Sequence, residues 1–129
     1  MRTTSFLVAM LGLAACQTTE SAKLLDGVKI PPLPISSPRE MMGKEGKALR
    51  AALGKPALLR QESPAQVWQY LGASCVLDFF LYEEDGGQMR VTHIESRGRT
   101  GGSVRPDLCL QDVHRTRYLS ANGGGQAGV

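Results

Sequence analysis

The chain reads as an α+β protein: an N-terminal helix packed on a three- to four-stranded antiparallel sheet, followed by a short C-terminal helix. Three observations carry that reading. Apolar and small residues recur at helical spacing after Ser37, with Met42, Gly46, Leu49 and Leu53 on one face. Between residues 57 and 95 the pattern changes to short alternating runs divided by turn residues. Beyond a glycine-rich loop at 98–103, residues 106–118 read as a closing helix.

The first helix has the clearest signals. Ser37 is placed to cap it, Pro38 suits the first helical position, and Glu40 three residues on completes a capping box. Arg39, Glu40, Lys44, Lys47 and Arg50 lie largely off the apolar face. Gly54 fits a left-handed stop and Pro56 prevents continuation. Gly43 and Gly46 each cost about 1 kcal/mol relative to alanine, and they mark either close packing or a break into two short helices.

Strands follow at 57–62 and 66–71, with Ser63-Pro64-Ala65 as the turn between them. The strongest strand runs over 75–82. Cys75, Leu77, Phe79 and Leu81 share one face, and Val76, Asp78, Phe80 and Tyr82 share the other. Asp85-Gly86 supplies the left-handed positions of a hairpin turn, and residues 89–95 return antiparallel.

The chain's 129 residues hold one domain and not two. Residues 1–15 read as a secretory leader: Arg2 gives the positive start and Phe6 to Leu13 an apolar run too short to span a bilayer. The run ends in Leu13-Ala14-Ala15-Cys16, which resembles the bacterial lipobox. That resemblance implies a diacylglyceryl thioether on Cys16 and an acylated new N-terminus; several chains make such an anchor durable. Gln17 rather than aspartate after the cysteine favours the outer membrane. Residues 16–36 then read as a lipidated cysteine and a Pro-rich tether, the alternative being that Val28, Ile30 and Leu33 pack on the domain as an edge strand. The globular domain spans 37–119, and 120–129 reads as a disordered tail of small residues.

Composition narrows the chemistry. A net charge of +3 with acids and bases interspersed, and only 5% aromatic residues, argues against a nucleic-acid binder. Assigning Cys16 to lipid leaves Cys75 and Cys109 as an even pair in an oxidising compartment, the setting for a disulfide. Metal binding by these cysteines with His93 and His114 is disfavoured because no close chelating pair exists. A Cys–His nucleophile is disfavoured because the disulfide would consume the thiol. Arg97-Gly98-Arg99-Thr100-Gly101-Gly102 lacks the Lys-Ser/Thr ending of a nucleotide loop and reads as a flexible connection. Asp78, mid-strand, needs a partner, and Arg90 on the returning strand is the candidate. Trp68 and Tyr70 share a face; they serve either as core beneath the helix or, with Arg90, as a partner-binding patch. No cofactor, metal or nucleotide is expected.

The helix exit Leu53-Gly54-Lys55-Pro56, followed by a strand carrying Trp68-Gln69-Tyr70, resembles the SmpA/OmlA (BamE-like) outer-membrane lipoproteins over about residues 39–95. The Cys75 and Cys109 pair and the C-terminal helix look like additions to that pattern. The resemblance implies a non-enzymatic accessory protein of the cell envelope, at the periplasmic face of the outer membrane, contributing to envelope integrity or outer-membrane protein assembly. Its expected partners are the membrane, through Cys16, and an envelope protein. A periplasmic enzyme inhibitor is the alternative, and a small envelope hydrolase a weaker one.

Overall fold

A computed structural model describes residues 29–123 of the chain. The leader, Cys16 and most of the spacer, and residues 124–129 of the C-terminal tail, lie outside the described residues. The order is a 3-10 turn at Pro38–Met41, helix α1 at Gly46–Leu53, strands β1 (Leu58–Glu62), β2 (Ala65–Leu71), β3 (Cys75–Glu84) and β4 (Gln88–Gly98), and helix α2 at Pro106–Gly123. The strands form one antiparallel sheet in sequence order.

The region read as one N-terminal helix is divided. Ser37 caps the 3-10 turn and Glu40 completes the capping box, but Gly43 then takes φ +73°. The cause is tertiary. Gly43 N–H donates to Val91 O at 2.7 Å and Val91 N–H donates to Lys44 O at 2.9 Å, so this backbone pairs with β4 instead of continuing the helix. The break also shifts the buried face: Met41 is buried while Met42 is 44% exposed. α1 is therefore only eight residues long. It ends as predicted at Gly54, φ +76°, whose N–H donates to Arg50 O.

β3 has the two faces its alternation predicts. Cys75, Leu77, Phe79 and Leu81 join one cluster with Leu49 and Leu53 of α1, Cys109, Leu110 and Val113 of α2, and Trp68, Tyr70 and Val91. Each fully buried Leu or Phe in such a cluster contributes roughly 1.5–3 kcal/mol. Val67, Val76 and Asp78 on the opposite face are also buried, outside that cluster. A bulge interrupts β3–β4: Phe80 faces His93 but Leu81 faces Val91, leaving Thr92 without a partner.

Smaller differences have local reasons. The hairpin's left-handed residues are Gly86 and Gly87, φ +96° and +78°, rather than Asp85 and Gly86. Gly87 N–H closes the turn on Glu84 O. α2 runs past Tyr118 to Gly123, taking in residues 120–123 of the segment read as tail. Residues 31–36, read as tether, lie on the domain. Ile35 is buried, Leu33 packs against the core, and His114 Nε2 donates to Pro31 O at 2.7 Å. They pack without forming a strand.

Candidate functional site

Of the three residues proposed for partner contact, two are core. β2 directs Trp68 and Tyr70 to the helix face, where they are 7% and 0% exposed. Trp68 lies against α1: an added Cβ on Gly46 would stand 2.7 Å from its Cζ2. Its ring carries Arg50 5.5 Å from the centroid, and its Nε1 donates to Gln66 Oε1 at 3.2 Å. Tyr70 packs edge-on to Phe79, donates its hydroxyl to Gly54 O at 3.0 Å, and lies under Arg117. Burial pushes the Tyr70 phenol up to about 12, against the opposing influence of Arg117 and Arg50. Neither ring is presented to a partner; the packing alternative accounts for both.

Arg90 remains about one-third exposed, but its guanidinium is engaged. It donates to Gly43 O at 3.0 Å and to Gln88 Oε1 at 2.6 Å, and it pairs with Glu45 at 3.3 Å and Glu84 at 3.7 Å. These bonds fasten the segment between the 3-10 turn and α1 to β4. Arg90 is not the partner of Asp78, because the register places it opposite Tyr82 while Asp78 faces Gln69 and Glu95. Asp78 pairs instead with Arg97, and it accepts from Gln69 Nε2 at 2.9 Å. It is 2% exposed, and both carboxylate oxygens are satisfied, so its environment is that of a structural ion pair.

Cys75 and Cys109 are bonded, with Cα atoms 5.8 Å apart, joining the start of β3 to the first turn of α2. Asp112, one turn further along α2, accepts from Ser74 N–H and Oγ, each at 2.9 Å. Desolvation opposes ionisation there, but the bonds from Ser74, Ala73 and Thr116 outweigh it and hold the carboxyl below its usual range. Neither Asp112 nor the Ser37–Asp107 hydrogen bond at 2.9 Å was foreseen. Both join residues far apart in sequence, and nothing local announces them.

The histidines do not meet the cysteines. His93 is exposed and pairs with Glu95 at 3.0 Å, while His114 holds Pro31. Among the described residues, no three of His, Cys, Asp and Glu converge to hold a metal ion. The Arg97–Gly102 segment closes on itself, Gly98 N–H donating to Gly102 O at 3.0 Å, with Gly101 and Gly102 at positive φ. It forms a turn whose amide is already used. A cavity of about 300 Å³ lies between Pro38, Arg39, Met42, His93, Ile94 and Pro106. Its walls are mixed, Arg39 and His93 standing beside apolar residues, and no carboxylate or thiol is among these lining residues.

No family model matches the chain, and no curated protein or solved structure matches it.

Proposed function

We propose that the chain is a lipoprotein of the bacterial cell envelope, anchored at the periplasmic face of the outer membrane through lipid on Cys16. Its domain serves there as a non-enzymatic binding or scaffolding module, accessory to envelope integrity or outer-membrane protein assembly. The observation that carries the reading is Leu13-Ala14-Ala15-Cys16 directly after a short apolar run. The bonded Cys75–Cys109 pair is in keeping with an oxidising compartment outside the cytosol. Among the described residues no helix is long and apolar enough to cross a membrane.

The likeness to SmpA/OmlA lipoproteins is proposed on two short motifs, Leu53-Gly54-Lys55-Pro56 and Trp68-Gln69-Tyr70. The two short motifs on which it rests touch each other, since Tyr70 of Trp68-Gln69-Tyr70 bonds Gly54 of Leu53-Gly54-Lys55-Pro56. The pairing gives both motifs one physical purpose, closing the end of α1 onto β2.

The test is fractionation with mass analysis. The parent chain sediments with membranes and carries the mass of a diacylglyceryl group and an acyl chain on Cys16. Cys16→Ser moves it to the soluble fraction. Unchanged attachment of that variant refutes the anchor. In-cell crosslinking of the parent then identifies the neighbour; retention of a soluble periplasmic enzyme rather than an assembly component would replace the scaffold reading with inhibition.

A further inference from the structure

The two edges of the sheet are finished differently. β4 is closed twice by the chain itself, through the paired backbone of Gly43, Lys44 and Val91 and through a bridge between Arg97 and Ser103. β1 pairs with β2 alone among the described strands. None of its five residues is buried, and Leu58 and Leu59 are 47% and 44% exposed. An open edge bearing apolar side chains is a template for another strand, which proteins otherwise blunt with lysine, proline, a bulge or a covering segment. Between Leu58 and Glu62 there is neither lysine nor proline.

We propose that β1 is a self-pairing edge, at which two copies of the chain join β1 to β1, antiparallel, about a two-fold axis at Gln61. The two four-stranded sheets then become one continuous sheet with an isologous interface. Charge complementarity selects both the occupant and the register. Arg60 lies opposite Val67 and Glu62 opposite Ala65, so the two charges share the face on which Leu58 also lies. A two-fold axis at Gln61 sets Arg60 of each copy opposite Glu62 of the other. An axis at Arg60 instead opposes two arginines. Opposite charges directly across a strand pair attract and like charges repel, so the first register is favoured. Within one chain Arg60 and Glu62 already pair at 3.2 Å, yet about half of each side chain stays exposed and free to extend the array. With the axis at Gln61 only residues 60–62 of each β1 pair strand to strand, Leu58 and Leu59 falling opposite Pro64 and Ser63. The interface therefore covers less than the roughly 1,200 Å² of a standard one, and the association is concentration-dependent. The inference is independent of the lipid anchor.

The test uses the full chain in mild detergent. In the favoured register the two Gln61 Cα atoms lie about 4.5–5.5 Å apart, within disulfide reach. In a Cys16→Ser background, Gln61→Cys oxidised with diamide gives a reducible dimer; the background chain gives none, and Arg60→Cys gives at least about tenfold less. In sedimentation equilibrium, Arg60→Glu or Glu62→Arg alone weakens the parent's dimer by about tenfold or more. The double variant restores it, which separates lost pairing from lost folding. A parent that remains monomeric at every concentration, with no Gln61→Cys dimer, overturns the proposal. More efficient crosslinking through Arg60→Cys overturns the register. Crosslinking of Gln61→Cys in cells solely to a different protein assigns the edge to another partner and overturns self-pairing.

Discussion

The two helices lie on one face of one sheet and are fastened to it by different means. α2 places Cys109, Leu110 and Val113 at zero exposure and is bonded covalently to β3. α1 buries Leu49 and Leu53, but its two ends are secured by polar contacts: Tyr70 on Gly54 at one end, Arg90 on Gly43 and Glu45 at the other. An eight-residue helix is marginal by itself in water. α1 exists because the sheet supplies its boundaries. α2 is long enough to propagate, and what it needs is placement after a glycine-rich loop. A covalent tie answers the second need, and hydrogen bonds answer the first.

The sharpest way to break this contrast is to remove the tie. Cys75→Ala with Cys109→Ala opens a loop of sequence separation 34 and costs roughly 4 kcal/mol in the chain-entropy model. Urea denaturation reads the loss. Amide exchange should localise it, with α2 exchanging much faster and α1 little changed. Equal acceleration in both helices would show that they form one cooperative unit and that the contrast is wrong.

The complementary break is Leu49→Ala. Leu49 is fully buried in the shared core, and truncation of such a leucine costs about 2–5 kcal/mol, rising with the cavity left behind. Here α1 should lose amide protection first, while the Cys75–Cys109 bond keeps the start of α2 in place. A third substitution reverses an ordinary propensity. Gly→Ala inside a helix normally stabilises by about 1 kcal/mol. At Gly46 the new methyl meets the Trp68 ring at 2.7 Å, so Gly46→Ala should destabilise by about 1–3 kcal/mol. A shift in Trp68 fluorescence should accompany it, and a more stable variant with unchanged fluorescence would mean that the ring yields freely.

How legible these features were depended on the range of the forces behind them. The faces of β3, the Gly54 stop and the Ser37 cap are written in neighbouring residues, where periodicity and backbone sterics act. The pairing of Cys75 with Cys109 was legible by elimination once Cys16 was set aside. The break at Gly43 was only half legible: the glycine was visible, but its hydrogen bond to Val91 depends on where β4 lies. The partner of Asp78 was misread because arginines recur on β4 and the register decides among them. Leu33 and Ile35 alternate with prolines in a segment without helical or strand rhythm, so their packing on the core had no periodic signature. At the candidate site, Trp68 and Tyr70 stood out as aromatics. Whether such rings face a partner or a core is decided by the element across from them, and here α1 covers them.

The smallest effect tests the most specific claim about α1, that a phenol closes its end. Tyr70→Phe keeps the ring against Phe79 and removes only the bond to Gly54 O, at a cost of about 1 kcal/mol. The pH dependence is more diagnostic. The folded phenol titrates near 12 and the unfolded one near its ordinary 10.0, so folding favours the protonated form. That contribution is fully present below pH 10 and is lost as pH rises through about 12, where the unfolded chain releases its proton first. Stability of the parent should therefore fall through this window with a slope approaching about 1.4 kcal/mol per pH unit from this group. The informative quantity is the difference between parent and variant, which isolates this one hydroxyl. The two stability curves should lie about 1 kcal/mol apart near neutrality and converge or cross above pH 10. Curves that stay parallel to pH 12 would mean that the Tyr70 hydroxyl reaches water, and that α1 is held by Leu49 and Leu53 without the polar closure at Gly54.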